Sequence, residues 1–142
     1  MGSRKRLAAE KRKEQQKAVC MAKLTSNPTS PRKARLMADV IRGKNVDEAL
    51  SILKYSAKEV SGKMYKLVLS AVANWQHKNE NTNVDDANLY IKEVFVDGGT
   101  ILKRLRTAPQ GRAYRVRKRS NHITLVVDSR KVETTIETTE SK

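Results

Sequence analysis

The chain has 142 residues, 38% of them hydrophobic, one cysteine and a formal net charge of +15. That length suits one domain with appendages and a modest core. The lone Cys20 excludes an intramolecular disulfide and fits a reducing compartment, no apolar run nears the ~18 residues of a membrane span, and the basic N-terminus lacks the apolar core of a signal peptide.

The expected setting is therefore the cytoplasm, with no membrane partner. Charge is unevenly spread: residues 1–17 carry a net +5, 18–99 +3, 100–119 +8 and 120–142 −1. A nearly balanced body with basic appendages suits threading between phosphates.

In chain order, residues 4–17 are strong helix formers without an apolar face, so a solvent-borne or RNA-bound helix and a disordered tail both remain open. Residues 1–18 form a basic N-terminal extension. Ala18 to Leu24 reads as an edge strand. Ser30 and Pro31 start a helix that Gly43 stops. Within it Leu36, Met37, Val40 and Ile41 are expected to form the apolar face, leaving Arg32, Arg35 and Arg42 on another side with Asp39. A short helix over Asp47–Lys54 follows, its stripe made by Val46, Ala49, Leu50 and Leu53. The longest helix, about Ala57 to Asn79, carries Val60, Met64, Leu67, Val68, Ala71, Val72 and Trp75 at helical period. Trp75 continues that stripe, so packing is its expected role. Asn79 to Asp86 reads as a polar loop.

Leu89–Val96 and His122–Asp128 read as the longer strands of a sheet. Between them, residues 101–119 hold eight basic residues and no carboxylate: Lys103, Arg104, Arg106, Arg112, Arg115, Arg117, Lys118 and Arg119. Pro109 and Gly111 provide turn chemistry, so this stretch is predicted to be a β-hairpin, about 97–121, continuing both strands beyond the body by a length comparable to the body's diameter. Side chains alternate along a strand. Arg104 and Arg106 then oppose Lys103 on one arm, and Arg115, Arg117 and Arg119 oppose Arg112 and Lys118 on the other. Charge on both faces rules out packing on an apolar core and points to a polyanion on both sides. The Thr- and Glu-rich segment 129–142 is expected to be disordered.

No metal, cofactor or catalytic motif emerges. His77, His122 and Cys20 lack ligand spacing, and Asp85 and Asp86 are adjacent in a polar loop. Gly98 and Gly99 are followed by neither a helix nor a Lys-Ser/Thr pair. An enzyme is not expected.

Several segments together resemble the bacterial large-subunit ribosomal protein twenty-two family: SPRKARLMADVIRGK at 30–44, VDEALSIL at 46–53, LVLSAVANWQHKN at 67–79, FVDGG at 95–99, and LKRLRTAPQGRAYRVRKRSNHITLVV at 102–127. The resemblance runs from about Cys20 to Asp128, and the last segment is the most specific. It implies an α+β fold over 19–128: three helices packed on a small antiparallel sheet, with a long projecting β-hairpin. It also implies binding to large-subunit ribosomal RNA, a role in assembly, and a hairpin lining the nascent-peptide exit tunnel close to ribosomal protein four, a region linked in the family to macrolide antibiotics. Lys103, Arg104, Arg112, Arg115, Lys118 and Arg119 fall at matching basic positions. The tip departs from the family's frequent Pro-Arg-Ala-Lys-Gly-Arg, since Thr107-Ala108-Pro109-Gln110-Gly111-Arg112 keeps only the last of its cations, and Arg106 replaces a commonly apolar residue.

On this reading Arg32, Lys33, Arg35 and Arg42 of the body and the hairpin cations contact RNA, while 107–112 faces the tunnel and the nascent peptide. Neighbouring ribosomal proteins are partners, and no homo-oligomer is expected. The rival from another class is an architectural DNA-binding protein whose basic ribbon enters a minor groove; it would be expected to dimerise. A basic nuclease would need a carboxylate or histidine cluster at the ribbon, which has none.

Overall fold

In the computed structural model, residues 3–79 and 87–130 are described, with the side chains of 3 and 14–18 left aside. The chain runs α1 (Ser3–Ala18), β1 (Cys20–Asn27), α2 (Pro31–Ile41), α3 (Val46–Tyr55), α4 (Glu59–Lys78), β2 (Leu89–Thr107) and β3 (Ala113–Ser129). The strands form one antiparallel sheet in the order β1-β3-β2. Helices α2, α3 and α4 pack on it as expected, giving the α+β class. The fourth helix, α1, occupies the basic extension; residues 4–13 are exposed along it, and Arg6 and Glu10 pair across one turn at 3.3 Å. Residues 80–86, most of the expected polar loop, and 131–142, most of the expected tail, lie outside the described residues, while Ser129 ends β3.

Strand alternation builds the core from one face of the sheet. Ile123, Leu125 and Val127 of β3 point inward, joined by Cys20 and Ala22 of β1 and by Leu89, Ile91, Val94 and Val96 of β2. The two apolar pairs of β2, Leu89 with Ile91 and Val94 with Val96, are one residue out of phase for a plain strand. A bulge between Ile91 and Glu93 absorbs the extra residue, so both pairs face the helices. Against them α4 sets Val60, Met64, Leu67, Val68, Ala71 and Trp75, all buried, as its period predicts.

The apolar face of α2 differs from the expected one. Ala34, Met37, Ala38 and Ile41 are buried, whereas Leu36 is 58% and Val40 45% exposed. The buried set is itself an i, i+3, i+4, i+7 stripe, and its two alanines permit close approach to the sheet; bulk alone singled out Leu36 and Val40. Accordingly Leu36→Ala and Val40→Ala should each change stability by less than about 1 kcal/mol, while Met37→Ala should lose roughly 2–5 kcal/mol, as read by urea denaturation.

Gly43 ends α2 with φ +77°, in the region that favours glycine. This turn sends the chain along the outer edge of β2: Gly43 N–H donates to the Ile91 carbonyl and Ile91 N–H to the Lys44 carbonyl, both at 2.9 Å.

Candidate nucleic-acid interface

Beyond the body β2 and β3 continue as a two-stranded ribbon, paired from Ile101 opposite Arg119 to Thr107 opposite Ala113. Directly opposed residues share a face, so the register joins what each arm left separate. One face carries Lys103, Arg115, Arg117 and Arg119 with Ile101 and Leu105; the other carries Arg104, Arg106 and Lys118 with Leu102, Tyr114 and Val116. All of these side chains are exposed. Lys103 stands directly opposite Arg117, a like-charge pair that disfavours the ribbon in isolation. Both faces thus mix cations with apolar side chains, a combination suited to phosphates together with sugar and base surfaces.

Leu105 and Tyr114, 77% and 64% exposed, were not singled out from the sequence. Their signal was present as apolar residues spaced among cations, but only the pairing assigns them to faces.

The tip is a loop in which Ala108 N–H donates to the Arg112 carbonyl at 2.9 Å. Gln110 (φ 61°) and Gly111 (φ 67°) are both left-handed. Glycine adopts this freely, whereas glutamine does so at a cost of roughly 1–2 kcal/mol. Arg112 is exposed beside them, so Thr107 to Arg112 forms a narrow apex bearing one cation.

At the root, the ribbon is tied to the body. The Lys63 ammonium donates to Asn27 Oδ1 at 2.8 Å. Asn27 Nδ2 donates to Thr29 Oγ1 at 2.8 Å and to Asn121 Oδ1 at 3.1 Å. Asn121 Nδ2 donates to both the carbonyl and Oγ1 of Thr29 at 2.8 Å. Asn27, Thr29 and Asn121 are buried, so β1, the segment leading into α2, α4 and β3 meet where the ribbon departs. Next to them the Ser120 hydroxyl donates to the Thr100 carbonyl at 2.6 Å, and the Ser26 N–H donates to His122 Nδ1 at 3.0 Å.

The two root glycines differ in their surroundings. A Cβ on Gly99 would lie 2.6 Å from Ser120 Oγ and 3.2 Å from the Ser120 carbonyl carbon, while one on Gly98 meets nothing within 4 Å. Gly99→Ala should therefore lower the melting temperature by several degrees, on the order of 1–2 kcal/mol for a forced shift in a packed site, and Gly98→Ala should leave it almost unchanged; thermal unfolding followed by circular dichroism compares them.

The body cations are not equivalent. Arg32 and Lys33 are exposed on α2. Arg35 donates through Nε and Nη2 to the Val96 carbonyl at 3.3 and 3.1 Å. Arg42 donates through Nη2 to the Val94 carbonyl at 3.2 Å and through Nη1 to Asp39 at 2.8 Å. Arg35 and Arg42 therefore cap the outer edge of β2 as well as presenting charge. Among the described residues no group of three or more His, Cys, Asp or Glu is placed to hold a metal ion, and no helix is long and apolar enough to cross a membrane.

The profile of the family described as "Ribosomal protein L22p/L17e" matches residues 22–128. The chain is 61% identical to the large ribosomal subunit protein uL22 of Christiangramia forsetii over 127 residues, 89% of this chain and 94% of that one. It is 56% identical to the protein of the same name from Bacteroides fragilis strain YCH46 over 130 residues, 92% and 95% of the two chains. With the Cytophaga hutchinsonii protein it shares 61% over 128 residues, 90% of this chain and 70% of that longer one. The matched span takes in nearly all of β1, the three packed helices and the entire ribbon, and the chain belongs to the ribosomal protein L22p/L17e family.

Proposed function

We propose that this chain binds large-subunit ribosomal RNA through its body and ribbon, supports assembly of the subunit, and holds its tip at the nascent-peptide exit tunnel. Family membership carries the coarser part: a structural constituent of the large ribosomal subunit, which in bacteria is cytoplasmic, and not an enzyme. The observation supporting the rest is the ribbon, whose two faces both carry cations and exposed apolar side chains with no carboxylate between Thr100 and Arg119. Such an element is marginal alone in water, and insertion between RNA segments both neutralises its charge and covers its apolar side chains. The narrow apex of Thr107 to Arg112 suits the tunnel wall beside the nascent peptide and ribosomal protein four. Arg32 and Lys33 of α2 add phosphate contacts, and Arg35 and Arg42 do so with the donors left over from the sheet edge.

Tagged protein should sediment with large subunits in a sucrose gradient and stay there after a moderate salt wash. Release to the top of the gradient, with tight binding of isolated duplex by a dimer, would instead favour the architectural DNA-binding reading. Deleting 1–17 should leave the melting temperature of the free protein within ~2 °C, because residues 4–13 are exposed, yet weaken RNA binding most at low salt, where its cations are least screened.

A further inference from the structure

The helices α2, α3 and α4 cover one face of the sheet, and within the body the opposite face has no helix packed on it among the described residues, with Val126 at its centre shielded by its neighbours and Met21 and Phe95 exposed around it. The register lays out its rows: Tyr90 beside Asp128, Glu93 beside Val126 and Met21, Phe95 beside Thr124 and Lys23, and Asp97 beside His122. Phe95, at the middle of this face on an edge strand, is 50% exposed, and Met21 is exposed two strands away. Glu93 and Asp97 flank Phe95 at two residues on either side, which places them on its own face roughly 7 Å away along the strand. Among the described residues neither carboxylate is in an ion pair, whereas the neighbouring Asp128 is taken by Lys92 at 2.7 Å. That hydrogen bond, with the charge of Asp128, holds the Lys92 ammonium above its usual range.

The charge of this face separates it from the rest of the molecule. In a chain of net +15, the exposed Phe95 ring of the body sheet sits between two carboxylates that form no ion pair among the described residues, with Lys92 and Lys23 the nearest cations of the face. A base stacked on Phe95 would bring its phosphates within about a Debye length, ~8 Å at physiological salt, of both. The complement to a ring between carboxylates is a flat cation. An arginine guanidinium stacks on aromatic faces and pairs with carboxylates in plane.

We infer that the outer sheet face around Phe95 is a docking surface for a basic segment of another protein, with an arginine laid on the Phe95 ring between Glu93 and Asp97. The inference rests on the subunit reading, because the partner is met in the assembled particle. It divides the molecule: ribbon and α2 face RNA, and the far side of the sheet faces protein.

A photo-crosslinking residue, p-benzoylphenylalanine, in place of Thr124 lies next to Phe95 in the register and leaves the three key side chains intact. Irradiation of purified large subunits carrying this variant should join it to another protein through a peptide rich in arginine or lysine. Adding Glu93→Lys and Asp97→Lys should lower that yield at least fivefold while the protein still enters the particle. Crosslinks confined to RNA, to a second copy of the chain, or to its own residues 131–142 would overturn the proposal, as would none at all. Failure of the variant to enter particles would count against the subunit reading instead. The surface is then tested in the free protein by NMR titration with the peptide Arg-Leu-Arg-Leu-Arg at low salt. Net charge repels this probe elsewhere, so shifts should centre on Glu93, Phe95, Asp97 and Thr124 and weaken at least tenfold in the double lysine variant. An absence of shifts there, or shifts unaffected by charge reversal, would refute it.

Discussion

Replacing residues 103–117 by an Asn-Gly turn should yield a protein that melts within a few degrees of the parent but binds RNA with a far shallower salt dependence. The design follows from the register: Leu102 pairs with Lys118, so a two-residue turn closes the ladder there with its alternation intact, and Asn-Gly favours the required turn. None of the removed residues is in the buried core. The deletion takes away Lys103, Arg104, Arg106, Arg112, Arg115 and Arg117. If each neutralises one phosphate, the slope of log affinity against log salt should flatten by up to about 4 to 5. The shortened protein should still enter the large subunit, and stalling by arrest peptides or macrolide susceptibility should change. Failure to fold would show that the ribbon supports the core. An unchanged salt slope would remove the ribbon from the RNA interface, and unchanged arrest and drug responses would remove the tunnel role alone.

Asn121→Leu should have the largest effect of any single substitution at the ribbon root. Leucine cannot accept from Asn27 Nδ2 or donate to the two oxygens of Thr29, so polar groups are left buried without their partner. An unsatisfied buried group costs about 1–3 kcal/mol. A total near 3 kcal/mol corresponds to a fall in melting temperature of roughly 10 °C for a domain of this size. Thr29→Val, which removes only the Oγ1 acceptor, should lie between parent and Asn121→Leu. A melting temperature for Asn121→Leu within 2 °C of the parent would show that water replaces the lost contacts and that the cluster is not a structural clasp.

Much of this arrangement is legible from the chain itself. The stripe from Val60 to Trp75 names the buried side of α4 because helical period is a local property. The ribbon is legible because a carboxylate-free basic stretch brackets turn residues. What stays hidden depends on contacts between distant segments. The inward face of α2 is set by how near the sheet comes, which favours Ala34 and Ala38 over Leu36 and Val40. The attachment of Arg35 and Arg42 to β2 carbonyls joins residues more than fifty positions apart. The clasp of Asn27, Thr29, Lys63 and Asn121 draws on four segments, and no local pattern marks an asparagine as buried. The grouping of Tyr114 with Arg104 and Arg106 likewise waits on a register that only the paired strands define.

The contacts along the outer edge of β2 also bear on how this protein survives between synthesis and assembly. An uncovered strand edge is a template on which another chain can add a strand, the first step toward aggregation. Here the carbonyl of Ile91 is bonded by Gly43, that of Val94 by Arg42 and that of Val96 by Arg35, while the Ile91 N–H is taken by Lys44. Molecules not yet assembled therefore present an edge whose outward carbonyls at Ile91, Val94 and Val96 are already taken and, beyond it, a ribbon whose charge repels its own copies. Solubility in the waiting state draws on the same arginines that serve the sheet, so Arg35→Met with Arg42→Met should turn a monodisperse free protein into one that scatters light on standing.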